Sequence, residues 1–146
     1  MQLRSGLRGL LPGRSREDRD LGRGVWRRAH DRFRRAVDRY HQVLEGVPDG
    51  VLRDDLEVCG ARLAACLDAV RATCGEAQAA WPSEALEVPG GGVDLHRRLS
   101  RAGTLAAQAA QAAAMARTGP APAGSSAGAA AVQRAVSQVE RLVSGA

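Results

Sequence analysis

His30 is the side chain whose type and position most readily suggest chemistry. Apolar residues recur at spacings of four and three through Trp26, Phe33 and Val37, and His30 fills one position of that row. A histidine on such a helix face can change its charge near neutral pH or contact a ligand. The sequence therefore makes His30 a candidate pH switch, with a half-buried, hydrogen-bonded histidine as the alternative.

The other histidines and the cysteines form no metal or catalytic motif. Helical metal sites use two His, or Glu and His, three or four residues apart, and the nearest pattern is the lone pair of His41 and Glu45. Cys59, Cys66 and Cys74 would lie about 10 to 12 Å apart along one helix, too far for a disulfide. Because no nucleophile elbow or P-loop sequence occurs either, we expect no enzymatic activity, no cofactor and no metal centre.

Arginine supplies all 21 basic residues of the chain, and the formal net charge is +5 at pH 7. Residues 1–50 hold 12 arginines and 7 acidic residues, whereas residues 51–146 hold 9 arginines and 9 acidic residues. A GC-rich genome would also favour Arg over Lys. The excess charge nevertheless lies in the first third, so an electrostatic partner is to be sought there.

Four arginines of this first third share one helical line, which we call the arginine row: Arg28, Arg32, Arg35 and Arg39. Their spacing places them opposite the apolar face, toward solvent. Such a row could contact a nucleic acid or another anionic surface, with affinity that falls as salt rises. Alternatively, the face is solvated and carries local ion pairs. Asp31 would then pair with Arg35, and Arg34 would pair with Asp38.

Four predicted helices must position these side chains. The first runs from about Gly24 to Glu45 and the second from Val51 to Ala80, with Asp49 as a candidate cap in the turn between them. The third follows a flexible Pro-Gly joint and runs to Arg117, with Asp94 as its candidate N-cap. The fourth covers about 129–144. Because the first turn is so short, the first two helices must form an antiparallel hairpin.

We therefore predict an all-α protein, an antiparallel bundle of three long helices plus a shorter C-terminal helix. Residues 1–23 are predicted to be a flexible Arg-rich arm and 24–118 a three-helix antiparallel core. A Pro/Gly/Ser/Ala linker covers 119–128. The helix within 129–146 would then pack on the bundle or on a second subunit. With 3% aromatic residues, the core has to be built mainly from Ala, Leu and Val.

Small residues on the last two helices give the leading hypothesis on function. They are Ala102, Ala106, Ala109 and Ala113, which we call the alanine seam, and Val132, Val136 and Val139, which we call the valine seam. Alanine lets two helices approach closely, and a small core favours assembly. We expect a non-enzymatic interaction or scaffold protein that self-associates or binds a partner helix through these residues.

The main alternative is nucleic-acid or anionic-surface binding through the N-terminal arm and the arginine row. A third hypothesis is a small-molecule sensor with a pocket near His30, Trp26 and Trp81, although no small-molecule ligand is expected. Since no stretch approaches the roughly 18 apolar residues of a membrane span, no span is expected and a cytoplasmic location is the default.

Overall fold

The computed structural model describes residues 15–119 and 125–146, which form five α-helices and contain no strand. The helices are α1 (Arg16–Leu21), α2 (Val25–Glu45), α3 (Val51–Ala80), α4 (Val93–Thr118) and α5 (Ser125–Ser144). A single 3₁₀ turn at Gly90–Gly92 precedes α4. The helices pack against one another, which confirms the predicted all-α bundle.

The ends of the long helices follow the Gly and Pro signals of the sequence, with three differences. Asp49 does not cap α3; that helix begins after Gly50, and Asp49 lies 3.8 Å from Arg53. Asp94 falls in the first turn of α4 instead of at its cap. Helix α5 begins at Ser125, inside the predicted linker, because the alanines that follow favour helix. Residues 120–124 of that linker lie outside the described part.

The core is formed by four helices. Helix α2 packs against α3 and α4, and α5 packs against the same two helices from the other side. Helices α3 and α4 therefore lie diagonally opposite each other in the bundle. The predicted three-helix core of residues 24–118 would leave their facing sides open, and α5 fills that position.

Neighbouring helices from different hairpins run in the same direction. Gly92, just before α4, lies against Trp26 at the start of α2. At the other end, Arg117 Nη1 donates to the Val43 carbonyl at 3.4 Å. Helices α2 and α4 are thus parallel, and the connection between α3 and α4 crosses one end of the bundle diagonally.

This crossing connection packs tightly, whereas the sequence predicted a flexible joint. Trp26 Nε1 donates to the Trp81 carbonyl at 2.8 Å, and the two ring centroids are 6.3 Å apart. A Cβ at Gly92 would lie 2.6 Å from the Trp26 ring, and one at Gly91 would overlap Trp81. The glycines at 91 and 92 therefore provide the space that the two tryptophans occupy.

The same connection caps α2. The cap position of that helix is Gly24, which has no side chain, and the Ser83 hydroxyl accepts the Val25 N–H in its place at 3.1 Å. Ser83 is buried, and its own N–H donates to Gln78 Oε1 at 3.0 Å. A distant loop thus satisfies a free N–H of the first turn.

The last residues of the predicted flexible arm form α1. Ser15 accepts the Asp18 N–H at 3.1 Å as the cap, and Leu21 is fully buried against the bundle. The helix ends at Gly22, whose φ of 69° suits glycine. Residues 1–14 lie outside the described part of the chain.

The four long helices enclose one continuous hydrophobic core. Its largest members are Trp26, Phe33 and Tyr40 from α2, while alanine and valine fill the space between α4 and α5. None of the described helices combines the length and apolar character needed to cross a bilayer.

Candidate functional site

The residues predicted to bind a partner helix are buried inside the chain's own bundle. All seven members of the alanine seam and the valine seam are at most 1% exposed. They belong to one core, in which α4 and α5 pack against each other. The alanine seam does lie beside another helix, but α5 of the same chain occupies that place. These residues therefore form no exposed surface in this structure.

One ion pair attaches α5 to α3 at the rim of this core. Arg62 Nε and Nη2 donate to Glu140 at 2.8 and 2.7 Å, and Nη2 also reaches Ser137 Oγ at 3.0 Å. The hydrogen bonds from Arg62 lower the pKa of Glu140, and those same bonds raise the pKa of Arg62. The pair is half-exposed, so it orients α5 more than it stabilises the fold.

The arginine row lies on the exposed side of α2, next to α4, as its spacing predicts. All four side chains are exposed, and Arg32 crosses Gly103 to donate to Thr104 Oγ1 at 2.9 Å. Within the described residues, no ion pair involves any of the four. The row is thus a line of positive charge that no carboxylate of the described residues neutralises.

The local ion pairs proposed for this face are replaced by others. Asp31 is paired with Arg27 at 3.1 Å instead of with Arg35. Arg34 lies 3.9 Å from Glu17 of α1 instead of beside Asp38. The spacing rule named plausible neighbours, but α1 and Arg27 draw the charges to the other flank of α2. In the part of the chain that the structure describes, this leaves the arginine row without an ion pair.

Arg27 is the centre of a charge cluster between α1 and α2. Its guanidinium contacts three carboxylates, those of Asp18 at 2.6 Å, Asp31 at 3.1 Å and Glu17 at 3.3 Å. Burial lowers the pKa of Arg27, but the hydrogen bonds with Asp18 and Asp31 outweigh it and raise the pKa. The same bond with Arg27 lowers the pKa of Asp18.

His30 belongs to this cluster and is only 2% exposed. Its Nδ1 lies 2.9 Å from Asp31 Oδ1 and 3.6 Å from Glu17 Oε1. Burial raises the pKa of Asp31, but hydrogen bonds with His30 and Arg27 outweigh it and lower the pKa. The sequence placed His30 beside aromatic residues, whereas its polar partners are carboxylates. Its role as a pH switch stays a prediction.

The donor atoms of Glu17, His30 and Asp31 all lie within 4.8 Å of one another, close enough to be considered for one metal ion. An imidazole with carboxylates is a donor set that suits Zn²⁺. Arg27, however, already donates to both carboxylates and supplies the positive charge they need. A metal ion would have to displace this guanidinium from both carboxylates.

The space near the tryptophans, where the sequence suggested a small-molecule pocket, is filled by packed rings. Trp26 is fully buried, with Trp81 on one side and His96 in edge contact at 6.0 Å. Burial lowers the pKa of His96. The glycines at 91 and 92 complete the packing, so the rings hold the crossing connection in place.

The sequence missed the Arg27 cluster and the Ser83 cap. The charges of α1 were visible in the sequence, but six residues rich in charge gave no apolar periodicity. The Ser83 cap joins residues 58 positions apart, so no local sequence pattern predicts it.

The chain matches no protein-family model, and comparisons with curated proteins and with solved structures give no match either.

Proposed function

We propose that this protein is a non-enzymatic nucleic-acid binder that contacts the phosphate backbone through the arginine row. One observation carries the proposal: four exposed arginines follow one another along α2, and no ion pair neutralises them in the described residues. The row spans roughly 16 Å at 1.5 Å per residue. Planar guanidinium groups suit phosphate, because they can donate two parallel hydrogen bonds.

Backbone contact without base recognition fits the surroundings of the row. Proteins that bind single strands by stacking present aromatic side chains to the bases. Here Trp26, Phe33 and Tyr40 are buried in the core. Binding would therefore rest on charge, with little dependence on base sequence.

The exposed positions of α2 favour nucleic acid over a membrane surface. A helix that binds at a bilayer inserts an apolar face between the lipids. The apolar face of α2 is buried in the bundle, and every exposed position of this helix is polar or charged. A phosphate backbone requires only the charges.

The test is a salt titration of binding to duplex DNA with two matched fourfold variants. The first changes Arg28, Arg32, Arg35 and Arg39 to Gln. The second changes Arg71, Arg101, Arg134 and Arg141 to Gln. These four are exposed on other helices, so the two variants lose the same charge. We expect the first variant to reduce the slope of log affinity against log salt by about 3 to 4.

The control variant should keep most of this slope. No binding by the unchanged protein, or an equal loss in both variants, would refute the proposal. A stronger salt-dependent attachment to anionic lipid vesicles than to DNA would assign the row to membranes instead.

A second candidate function, self-association, rests on α5. This helix buries its valine seam in the core against α4, and a second copy of the chain offers an identical place. Exchange of α5 between two copies would build a dimer from contacts already present. Multi-angle light scattering over a wide concentration range tests it, and a strict monomer contradicts it.

We also propose a cytoplasmic location for this protein. Cys59, Cys66 and Cys74 are free and buried, and unpaired cysteines are typical of a reducing compartment.

A further inference from the structure

We propose that α1 is an internal acidic cover that masks two further phosphate-binding arginines of α2, Arg27 and Arg34. This inference rests on the proposed function and adds its regulation. Glu17 and Asp18 of α1 contact the same guanidinium groups that a phosphate would contact.

The orientation of α1 supports this role. The side chains of Glu17 and Asp18 are only 23% and 26% exposed, because both face Arg27. Arg16, on the same helix, is 87% exposed and faces away from α2. The short helix therefore presents carboxylates to α2 and an arginine to solvent. The two carboxylates contact the Arg27 guanidinium as the oxygens of a bound phosphate would.

The second residue is Arg34, seven positions after Arg27, and its side chain is 45% exposed, so α1 covers it only in part. Its Nη1 lies 3.9 Å from Glu17 Oε1, so one carboxylate of α1 lies between the two arginines. Positions 27 and 34 share one flank of α2, whereas the arginine row lies on the flank beside α4. Release of α1 would give α2 positive charge on both flanks. Arg27 would keep only the Asp31 contact, which lies within α2 itself.

Few apolar contacts attach α1 to the rest of the bundle. The helix has six residues, and Leu21 is its one buried side chain. A cleft of about 800 Å³, lined by residues of both charges, stays open between α1 and the last turns of α3. Segments with few buried contacts open at a lower free energy than the whole fold. A polyanion that binds Arg27 and Arg34 would therefore compete with α1 directly.

The main test is the neutral substitution Leu21→Ala, which loosens α1 without changing any charge. Duplex DNA should bind this variant more tightly than the unchanged protein, with a salt slope steeper by up to about 2. Hydrogen exchange of the α1 amides reports whether the helix is released. Leu86→Ala is the matched control, because Leu86 is 71% exposed and should change neither quantity.

A second variant decides the matter if Leu21→Ala fails to fold or leaves α1 attached. Glu17→Gln with Asp18→Asn removes the cover's charge, and Glu84→Gln with Glu87→Gln removes the same charge from the exposed surface elsewhere. We expect the first pair alone to steepen the salt slope.

The outcomes separate the two proposals. If the unchanged protein and all variants fail to bind DNA, the proposed function fails and this inference fails with it. If the unchanged protein binds, the inference is overturned when a released α1 leaves the slope unchanged. It is also overturned when both acidic pairs have equal effects.

Discussion

The Ser83 hydroxyl accepts a hydrogen bond from the Val25 N–H at 3.1 Å, although the two residues are 58 positions apart. The first turn of α2 is thus capped by the connection between α3 and α4. Gly24 makes the approach possible, since a Cβ there would overlap Ser83.

Ser83→Ala should lower the free energy of unfolding by about 1 kcal/mol, because a buried N–H of α2 loses its acceptor. Urea denaturation followed by circular dichroism measures the change. Ser144→Ala is the control, since that exposed hydroxyl bonds only the Arg141 carbonyl of its own helix. An equal effect of the two substitutions would show that Ser83 is not a cap of consequence.

Gly92→Ala should destabilise the fold by about 1 to 3 kcal/mol, because the new methyl group would clash with the Trp26 ring. Tryptophan fluorescence should shift in the same variant. Gly90→Ala provides a control in the same turn, because a Cβ at Gly90 would meet no atom within 4 Å. A tolerated Gly92→Ala would contradict the close packing described for the crossing connection.

Acid should weaken the fold through three carboxylates. Hydrogen bonds from arginine lower the pKa values of Asp18 and Glu140 in the folded chain. Burial raises the pKa of Asp31, but hydrogen bonds with His30 and Arg27 outweigh it and lower this pKa too. Their charged forms thus favour the fold above the unfolded values of about 3.9 to 4.3. That stability is lost as the pH falls through the lower folded values. Urea denaturation between pH 3 and pH 7 should show a decline confined to the acid end.

Asp31→Asn should remove part of this acid dependence, since it abolishes the charge that His30 and Arg27 contact. Asp38→Asn is a matched control, because Asp38 is exposed on the same helix and has no ion pair within the described residues. Identical pH profiles for the two variants would exclude a role of the Arg27 cluster in acid stability.

The three cysteines should resist alkylation in the folded protein. Burial raises the pKa of Cys59 and of Cys66, and it raises that of Cys74 to about 12. Little reactive thiolate is then present at pH 8. Mass spectrometry after treatment with iodoacetamide should find three modified cysteines in urea and none without it. Rapid modification of Cys74 in the folded state would contradict the buried packing.

The sequence was sufficient where local spacing controls the structure. The ends of α2 and α3 follow from apolar periodicity and from the Gly and Pro residues between them. The exposure of the arginine row follows from the same periodicity. Both are properties of a single helix, so the residue spacing within that helix is enough to predict them.

The sequence was insufficient where two distant segments meet. Helix α1 is stabilised by Leu21 and by Arg27 of the next helix, and its own six residues would not hold it. The choice of Arg27 over Arg35 as the partner of Asp31 depends on that contact. The burial of the valine seam likewise depends on where α5 lies. Residue spacing alone does not say whether α5 packs on its own bundle or on a second subunit.

The crossing connection has a consequence for recognising relatives of this chain. Surface loops usually tolerate changes of length. The connection between Trp81 and Gly92 is anchored at both ends and at Ser83, so an insertion would displace a cap and two rings together. Distant homologues should therefore share a fixed loop length, with Trp-Pro-Ser at its start and paired glycines at its end, even where the helices have diverged.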